Sequence, residues 1–371
     1  MAKEGIRLIK HFQLLFFCFL FLQCGSKDPS PPQAKKVTST TAISTSTSNQ
    51  KQNLSDYGFF EGKLADLLPS ENVLPYTLNT PLFTNYAFKK RFIYFPQGKP
   101  MTYKEKGVFD FENGTVLIKN FYYPVDFRLP EGEKRILETR LLLKENEEWI
   151  PLNYVWNEDQ DEASLNYIGK KTEIDWIHTD GTPKTITYNV PNNNQCKNCH
   201  LNGKEISPIG PTAAQLNGNF KALFESLNQL DFYTQHGYLK DKPQNSTLPQ
   251  FAVWDDPQTG SLEDRAKAYL DINCAHCHQP QGSAKNSGLD LSFYQTEARK
   301  RGIFKPPVAA GKGSGDLEYS IVPGHPENSI LLYRMMSNDP GIMMPEVGRS
   351  VVHEEGVALI SEYIAGLIQN K

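Results

Sequence analysis

Short aromatic and β-branched runs, separated by turn signals, fill the chain from Tyr57 to Val190. The runs cover residues 91–95, 108–111, 115–118, 140–143, 150–156 and 185–188. Asn113-Gly114 and Asp180-Gly181 are typical of tight turns between such runs. The pattern therefore predicts an N-terminal β-sandwich-like domain over residues 57–190.

After Val190 the pattern changes to helical stripes and long loops. Apolar residues at helical spacing predict one helix over Asn219 to Tyr233, a second that starts at Ser261 and a last one from about Glu354. Ser261 and Asp264 resemble a capping box for the second helix. Residues 191–260 and 261–371 are therefore expected to be mainly α-helical.

Residues 1–23 have the features of an export signal, with basic residues followed by the apolar run 12–22. The run is too short to span a bilayer comfortably. Residues 20–24 resemble a bacterial lipobox, although Gln23 stands where a small residue is usual, so Cys24 is the predicted lipidation site. An ordinary secretory signal or a retained N-terminal anchor is the alternative. Each of these predicts that the rest of the chain is exported.

Residues 24–56 are rich in Ser, Thr, Pro, Gln and Lys and contain almost no large apolar side chain. Such a segment cannot bury enough surface to offset the entropy lost on ordering. We therefore predict a lipidated, disordered tether between the anchor and the folded part of the chain.

Composition and charge exclude two classes of protein. Hydrophobic residues make up 39% of the 371 residues, which suffices for a soluble core, so the chain is not a small disulfide scaffold. The formal net charge is −3, and we expect no nucleic-acid partner.

Four cysteines outside the N-terminal segment form two copies of one pattern, Cys-x-x-Cys-His. The copies are Cys196-Lys-Asn-Cys199-His200 and Cys274-Ala-His-Cys277-His278. This spacing is the signature of c-type haem attachment, because two thiols about one helical turn apart can add to the two vinyl groups of a porphyrin. The adjacent imidazole then reaches the iron from the same side. The sequence predicts two c-type haems, with His200 and His278 as proximal iron ligands.

Three other uses of paired cysteines are less consistent with the pattern. A zinc ribbon usually places its two knuckles about 15 to 20 residues apart, whereas Cys199 and Cys274 are far apart. A thioredoxin-like motif follows a strand in a βαβ unit and needs no histidine. Structural disulfides are permitted outside the cytoplasm but give no reason for a histidine at the same place twice.

The second motif is predicted to end the helix that starts at Ser261, as in a small cytochrome c domain. The terminal helix should then pack across that helix. Between them lies the loop 342–345, in which Met344 precedes a proline. Met344 is the predicted sixth iron ligand, and its thioether would raise the reduction potential. Met343 is the nearest alternative.

The first motif follows a polar stretch, 191–195, which we interpret as a loop. Its sixth ligand is not evident from the sequence. The candidates are His236, His325, His353 and Met101. A vacant sixth position would leave an iron able to bind small molecules. His276, inside the second motif, is predicted to face away from the iron and to lie at the surface.

From Tyr57 to its C-terminus, the chain resembles a family of bacterial di-haem c-type cytochromes, exported or lipid-anchored and mostly described as conserved hypothetical proteins. The resemblance rests on residues 75–83, 86–87, 90–93, 196–200, 208–211, 215–217, 265–278, 326–334 and 344–345. Residues 265–278, which end in the second motif, are the most specific. The resemblance implies haem binding and electron transfer and supplies no substrate.

These observations together predict a multidomain α+β chain, in which the β-sandwich-like domain precedes a mainly α-helical, cytochrome c-like di-haem region. The expected function is one-electron transfer at the periplasmic or outer side of a bacterial membrane, with a redox partner protein or a small-molecule electron acceptor. One alternative is a haem enzyme that reduces peroxide or a similar small oxidant at the first haem. The other is a surface interaction lipoprotein whose β-domain binds a partner.

Overall fold

The computed structural model describes residues 49–219, 227–244, 247–308 and 310–367. The chain divides into residues 1–49 and residues 50–371, and the second unit holds every element described below. The predicted export signal, Cys24 and most of the predicted tether lie outside the described residues. Residues 50–56, which we predicted as the end of the tether, belong to the folded unit, since Leu54 is fully buried and Asn53 bridges to Ser164.

Strands are concentrated in the first half of the described chain, as the runs of β-branched and aromatic residues predicted. They are β1 Phe60–Glu61, β2 Leu68–Pro69, β3 Val73–Tyr76, β4 Phe88–Tyr94, β5 Met101–Thr102, β6 Val116–Pro124, β7 Lys134–Glu145, β8 Glu148–Trp156, β9 Ala163–Leu165, β10 Lys170–Ile177, β11 Pro183–Val190, β12 Leu201–Asn202, β13 Glu205–Ile206 and β14 Leu239–Lys240. The predicted turns at Asn113-Gly114 and Asp180-Gly181 are confirmed. The run 108–111 forms only isolated bridges.

Six strands form one antiparallel sheet in the order β3-β4-β6-β7-β8-β9. Most neighbouring strands in this sheet are also consecutive in sequence, because hairpin turns connect antiparallel strands. The register aligns Phe92, Ile118, Leu141 and Leu152 in one row across the first face of the sheet. The N-terminal segment 54–67 covers this face and completes a core cluster with it. Ile93, Leu117 and Leu142 form a row on the second face.

Two short helices, α2 Ala213–Leu216 and α3 Gln229–Gln235, cover part of the second face of the sheet. Leu216 of α2 and Leu230 and Tyr233 of α3 pack with Ile93 and Met101 in one core cluster. Strand β14, which follows α3, pairs in parallel with β5. The first half of the chain therefore shares its core with the second half.

The described α-helices are short. They are α1 Asn193–His200, α2 Ala213–Leu216, α3 Gln229–Gln235, α4 Leu262–Leu270, α5 Ile330–Met335 and α6 Glu354–Gly366. The capping box of Ser261 and Asp264 at the start of α4 is confirmed, and so is the start of the last helix at Glu354. Of the predicted helix 219–233, residues 220–226 lie outside the described residues.

The prediction of a β-sandwich-like domain followed by a mainly α-helical cytochrome c-like region is wrong. Strands account for 27% and helices for 22% of the described residues, and the main sheet is a single antiparallel layer of six strands. In the described chain the second face is covered partly by α2 and α3 and partly by the two-stranded sheet of β10 and β11, which packs on Phe121 and Tyr123. No second sheet of comparable size therefore closes a sandwich. Beyond residue 190 short helices alternate with long loops and short strands.

The predicted packing of the terminal helix across the helix before the second motif is confirmed. Ala266 and Leu270 of α4 share a core cluster with Ile360 and Ile364 of α6. The helices approach closely at Gly356, where an added Cβ would lie 2.2 Å from the Tyr269 hydroxyl oxygen. Only a glycine permits this approach.

In the part of the chain that the structure describes, none of the helices has both the length and the apolar character needed to cross a bilayer.

Candidate functional site

The two Cys-x-x-Cys-His motifs lie side by side. The sulfur of Cys277 lies 3.9 Å from the carbonyl oxygen of Asn198, which belongs to the first motif. The thiols of Cys199 and Cys277 are close enough to act on each other's pKa. Cys199 lowers the pKa of Cys277, and the nearby His276 lowers it further. Segments that are distant in sequence thus form one thiol-rich centre.

Helix α1 carries the first motif, so the interpretation of residues 191–195 as a loop is wrong from Asn193 onward. The side chain of Asn192 accepts a hydrogen bond from the Gln195 backbone N–H, and the Gln195 side chain accepts one from the Asn192 backbone N–H. This capping box fixes the start of the helix. Cys196 and Cys199, three residues apart, are therefore neighbours on the helix surface.

His200 is held with one ring nitrogen free. Its Nδ1 lies 2.8 Å from the carbonyl oxygen of Ser207. A carbonyl oxygen only accepts, so Nδ1 carries the proton and Nε2 is left with a lone pair. Burial lowers the pKa of His200 to about 4, which keeps the imidazole neutral. A neutral imidazole oriented through Nδ1 has the form in which histidine ligates a metal.

His278 is also held through its Nδ1, and here the acceptor is a hydroxyl oxygen. Its Nδ1 lies 3.0 Å from the Oγ of Ser287, and that Oγ donates its own proton to the Ala284 carbonyl oxygen at 2.7 Å. Because the hydroxyl proton is already used, Nδ1 of His278 must donate and Nε2 is again left with a lone pair. Burial lowers the pKa of His278.

Helix α4 and the π-helical turn Asp271–Ala275 place the second motif. The side chain of Asn273 accepts a hydrogen bond from the Phe83 backbone N–H at 2.8 Å and donates one to the Tyr269 carbonyl oxygen at 2.9 Å. This amide ties the segment before Cys274 to the N-terminal half of the chain. The second motif is therefore fixed relative to the sheet.

Three adjoining cavities surround Cys199 and His200. The first has a volume of about 1310 Å³, including the part open to solvent, and its lining also includes Cys274 and Met344. The second, of about 1390 Å³ measured in the same way, contains Cys196 and Met343 in its wall. The third, of about 940 Å³, includes His276 in its lining. Cysteines of both motifs thus line spaces that are partly open to solvent.

Met344 and Met343, the predicted sixth ligand and its alternative, line different cavities. Met344 faces the first cavity, which holds residues of both motifs, and Met343 faces the second, where the thiols of the first motif lie. Met335 of α5 also lines the first cavity, although nothing in the sequence distinguished it from a core methionine. The choice of Met344 stays a prediction.

Arg349 holds the loop 342–345, which we call the methionine loop. Its guanidinium group donates hydrogen bonds to five backbone carbonyl oxygens at 2.8–3.2 Å. The acceptors are Arg334, Met335, Ser337, Met344 and Val351. Arg349 is only 8% exposed and lines the first two cavities. Its role was not visible in the sequence, since a buried arginine that binds carbonyls has no local pattern.

Of the four candidates for the sixth ligand of the first motif, His353 lines the first cavity. Both of its ring nitrogens face partners: Nδ1 lies 2.9 Å from the Tyr269 hydroxyl and Nε2 lies 3.6 Å from the Glu355 carboxylate. His236 and His325 are exposed, with Nδ1 bound to the Phe232 carbonyl and to Glu327 respectively. Met101 is fully buried in the core against α3.

The prediction of His276 at the surface is wrong. The residue is half-buried and lines the first and third cavities. Its Nδ1 is buried without a hydrogen-bond partner. The residue lies next to Cys277, and its position inside a motif gave no reason to expect burial.

Asp271, just before the second motif, is expected to make stability depend on pH. Burial raises its pKa from 3.8 to about 6, while a hydrogen bond from the Phe293 N–H at 2.9 Å opposes the rise. His276 also lowers this pKa and Asp290 raises it. A raised pKa means that the folded state holds the proton more tightly than the unfolded chain, so stability falls as the pH rises from about 4 to about 6.

We therefore expect Asp271→Asn, which keeps an oxygen acceptor for Phe293, to raise the free energy of unfolding at pH 7.5 by at most about 3 kcal/mol, since one pKa unit corresponds to about 1.4 kcal/mol. Below pH 4 the difference should vanish. Urea unfolding at both pH values measures it. The exposed Asp159→Asn is the control and should change nothing; an equal effect of Asp271→Asn at both pH values would contradict the prediction.

Within the described ranges, no three His, Cys, Asp or Glu side chains converge to hold a metal ion. A haem iron takes four of its ligands from the porphyrin, so a haem does not require such a group.

Comparison with known proteins gives no assignment: the chain matches no family model, no curated protein and no solved structure.

Proposed function

We propose that this chain is an exported di-haem c-type cytochrome that transfers single electrons. One haem would be attached at Cys196 and Cys199 and the other at Cys274 and Cys277. The observation that carries the proposal is the state of the two motif histidines. Both have Nδ1 committed to a protein acceptor and keep a lone pair on Nε2, and Cys196, Cys199 and Cys274 line cavities.

The residues of the site fit this cofactor. His200 and His278 would be the proximal ligands, held in orientation by Ser207 and Ser287, and Met344 is the candidate for a sixth ligand. A bound haem supplies an iron that changes between the ferric and ferrous states. The chain itself contributes ligation, burial and a fixed position.

Contact between the motifs supports transfer from one cofactor to the other. Cys277 contacts the Asn198 carbonyl oxygen, and Cys199 and Cys277 are close enough to act on each other's pKa. Groups attached to these thiols would be neighbours. Electrons could therefore enter at one motif and leave at the other toward a redox partner protein or a small-molecule acceptor.

Export and membrane attachment belong to the same proposal. The lipobox-like sequence that ends at Cys24 supports an anchored lipoprotein facing the periplasm or the cell surface. Attachment of c-type haem outside the cytoplasm is consistent with that location.

A haem enzyme is a second candidate, favoured by the surroundings of His353. This histidine lines the first cavity, but Tyr269 and Glu355 face its two ring nitrogens, so neither nitrogen is free to act as a sixth iron ligand. A first haem without a sixth protein ligand could reduce peroxide or a similar small oxidant. Binding of cyanide to one haem of the purified protein supports this candidate; two low-spin, six-coordinate spectra support electron transfer alone.

The haem content of the full chain, matured in a host with the cytochrome c assembly machinery, tests the proposal. We expect two haems per polypeptide in a pyridine haemochrome assay and a matching increase in mass after denaturation. Cys196→Ala combined with Cys199→Ala should leave one haem, and Cys274→Ala with Cys277→Ala should also leave one. The exposed His236→Ala is the control and should retain two. Wild-type protein without covalent haem would refute the proposal.

A further inference from the structure

Three basic residues form a row across the centre of the main sheet. The strand register places Arg91 of β4 opposite Lys119 of β6, and Lys119 opposite Arg140 of β7. Lys89 lies on the same face, because residues two apart on a strand share a face. Arg91, Lys119 and Arg140 all line the first cavity. The row, defined as Arg91, Lys119 and Arg140, thus presents positive charge to a space inside the protein.

The row carries more positive than negative charge. Glu138 is fully buried and pairs with Arg140 through two hydrogen bonds of 2.9 and 2.5 Å. Among the described residues, it is the carboxylate that acts on the row. Burial and the neighbouring cations lower the pKa of Lys119. Like charges directly opposite each other on a sheet are destabilising, so the arrangement calls for a compensating anion.

Arg91 supplies an independent sign of a ligand. The residue is 8% exposed, and its Nη2 is buried without a hydrogen-bond partner. Leaving a buried charged donor unpaired is destabilising. Because Arg91 lines the first cavity, a ligand in this cavity could pair with its guanidinium group.

The row lies beside the first haem motif. Arg140 lies close enough to Cys196 and Cys199 to act on their pKa values, and Lys119 and Arg140 act on that of His200. Arg140 also lines the second cavity together with Cys196. An anion held by the row would therefore lie next to whatever is attached at this motif.

We propose that the row of Arg91, Lys119 and Arg140 is an anion site that binds carboxylates, namely those of the porphyrin attached at the first motif. This inference rests on the proposed function. Planar guanidinium groups match carboxylates in two-point contacts, and lysine adds a point charge. A free oxyanion in the cavity shares the same chemistry, and the experiment distinguishes the two sources.

The experiment combines a variant of the row with a matched control. Arg91→Gln with Lys119→Gln removes two of its charges, whereas Lys90→Gln changes the next residue of β4, on the opposite face of the sheet. In haem-loaded protein with two haems per chain, the row variant should lower the reduction potential of one haem, because a ferric iron is stabilised when nearby cations are lost. Lys90→Gln should leave both potentials unchanged.

Binding of inorganic phosphate identifies the source of the anion. Protein that lacks the first attachment site, Cys196→Ala with Cys199→Ala, should bind phosphate in calorimetry and lose this binding when the row variant is added. Fully loaded wild-type protein should bind none, because carboxylates fill the site. Phosphate binding by loaded protein that depends on the row would show a free oxyanion as the occupant.

Unchanged potentials together with phosphate binding that ignores the row would overturn the inference. Failure of the proposed function is a different result. Wild-type protein would then hold no haem, while phosphate binding would still report on the row.

Discussion

Replacement of Glu138 by glutamine is expected to lower the free energy of unfolding by about 3–5 kcal/mol, the range for breaking a buried ion pair on one side. Glu138 is fully buried between the Arg140 guanidinium group and the Tyr188 hydroxyl, which donates to it at 2.6 Å. Without the carboxylate, Arg140 would face Lys119 with no compensating charge. Urea unfolding at pH 7 of haem-free protein is the measurement.

Two controls separate this charge effect from a general loss of packing. Glu158→Gln removes an exposed carboxylate that pairs with Arg135 and should cost about 1 kcal/mol or less. Combining Glu138→Gln with Arg140→Gln should recover part of the loss, since both charges are then absent. A loss below about 1 kcal/mol for Glu138→Gln alone would contradict the account of an overcharged sheet face.

Replacement of Arg349 by lysine is expected to cost about 2–4 kcal/mol, because buried carbonyl oxygens that lose their donors are left unsatisfied. Arg349 donates to five carbonyl groups around the methionine loop. An ammonium group has three donors and lacks the planar fork, so lysine cannot replace it. The loop that presents Met344 should loosen, and thermal or urea unfolding measures the loss.

A matched substitution at the surface provides the comparison for Arg349. Arg128→Lys changes an exposed arginine that pairs with Asp126 and should leave stability nearly unchanged. In haem-loaded protein, Arg349→Lys should also weaken the far-red absorption typical of a methionine-ligated ferric haem. Full stability and an unchanged spectrum in this variant would show that Arg349 does not hold the loop.

Local features of the fold could be predicted from the sequence. The β-branched runs gave most strands of the main sheet, and the caps and apolar stripes gave α4 and α6, because neighbouring residues determine these elements. The capping box of Asn192 and Gln195 was equally visible but was not used. The prediction of a sandwich was wrong because alternating apolar and polar residues along a strand show only that one face is buried. They do not show that helices such as α2 and α3 cover that face.

In the candidate site, too, only the local features could be predicted from the sequence. The two motifs follow from the spacing of thiols and imidazole within five residues, which is local chemistry. The proximity of Cys199 and Cys277 depends on the packing of segments that are distant in sequence. The row of Arg91, Lys119 and Arg140 depends on the register of three strands. This register includes a bulge between Phe121 and Tyr122. No single segment contains that information.

The core shared between the sheet and helices α2 and α3 limits how this chain can be divided. A fragment that ended at residue 190 would leave Ile93 and Met101 facing water, and it would lack the strand that pairs with β5. A fragment that began there would carry Leu230 without its partners on the sheet. The second half of the chain, which carries both thiol motifs, therefore could not be moved to another protein alone. Both halves of the gene would have to be transferred together.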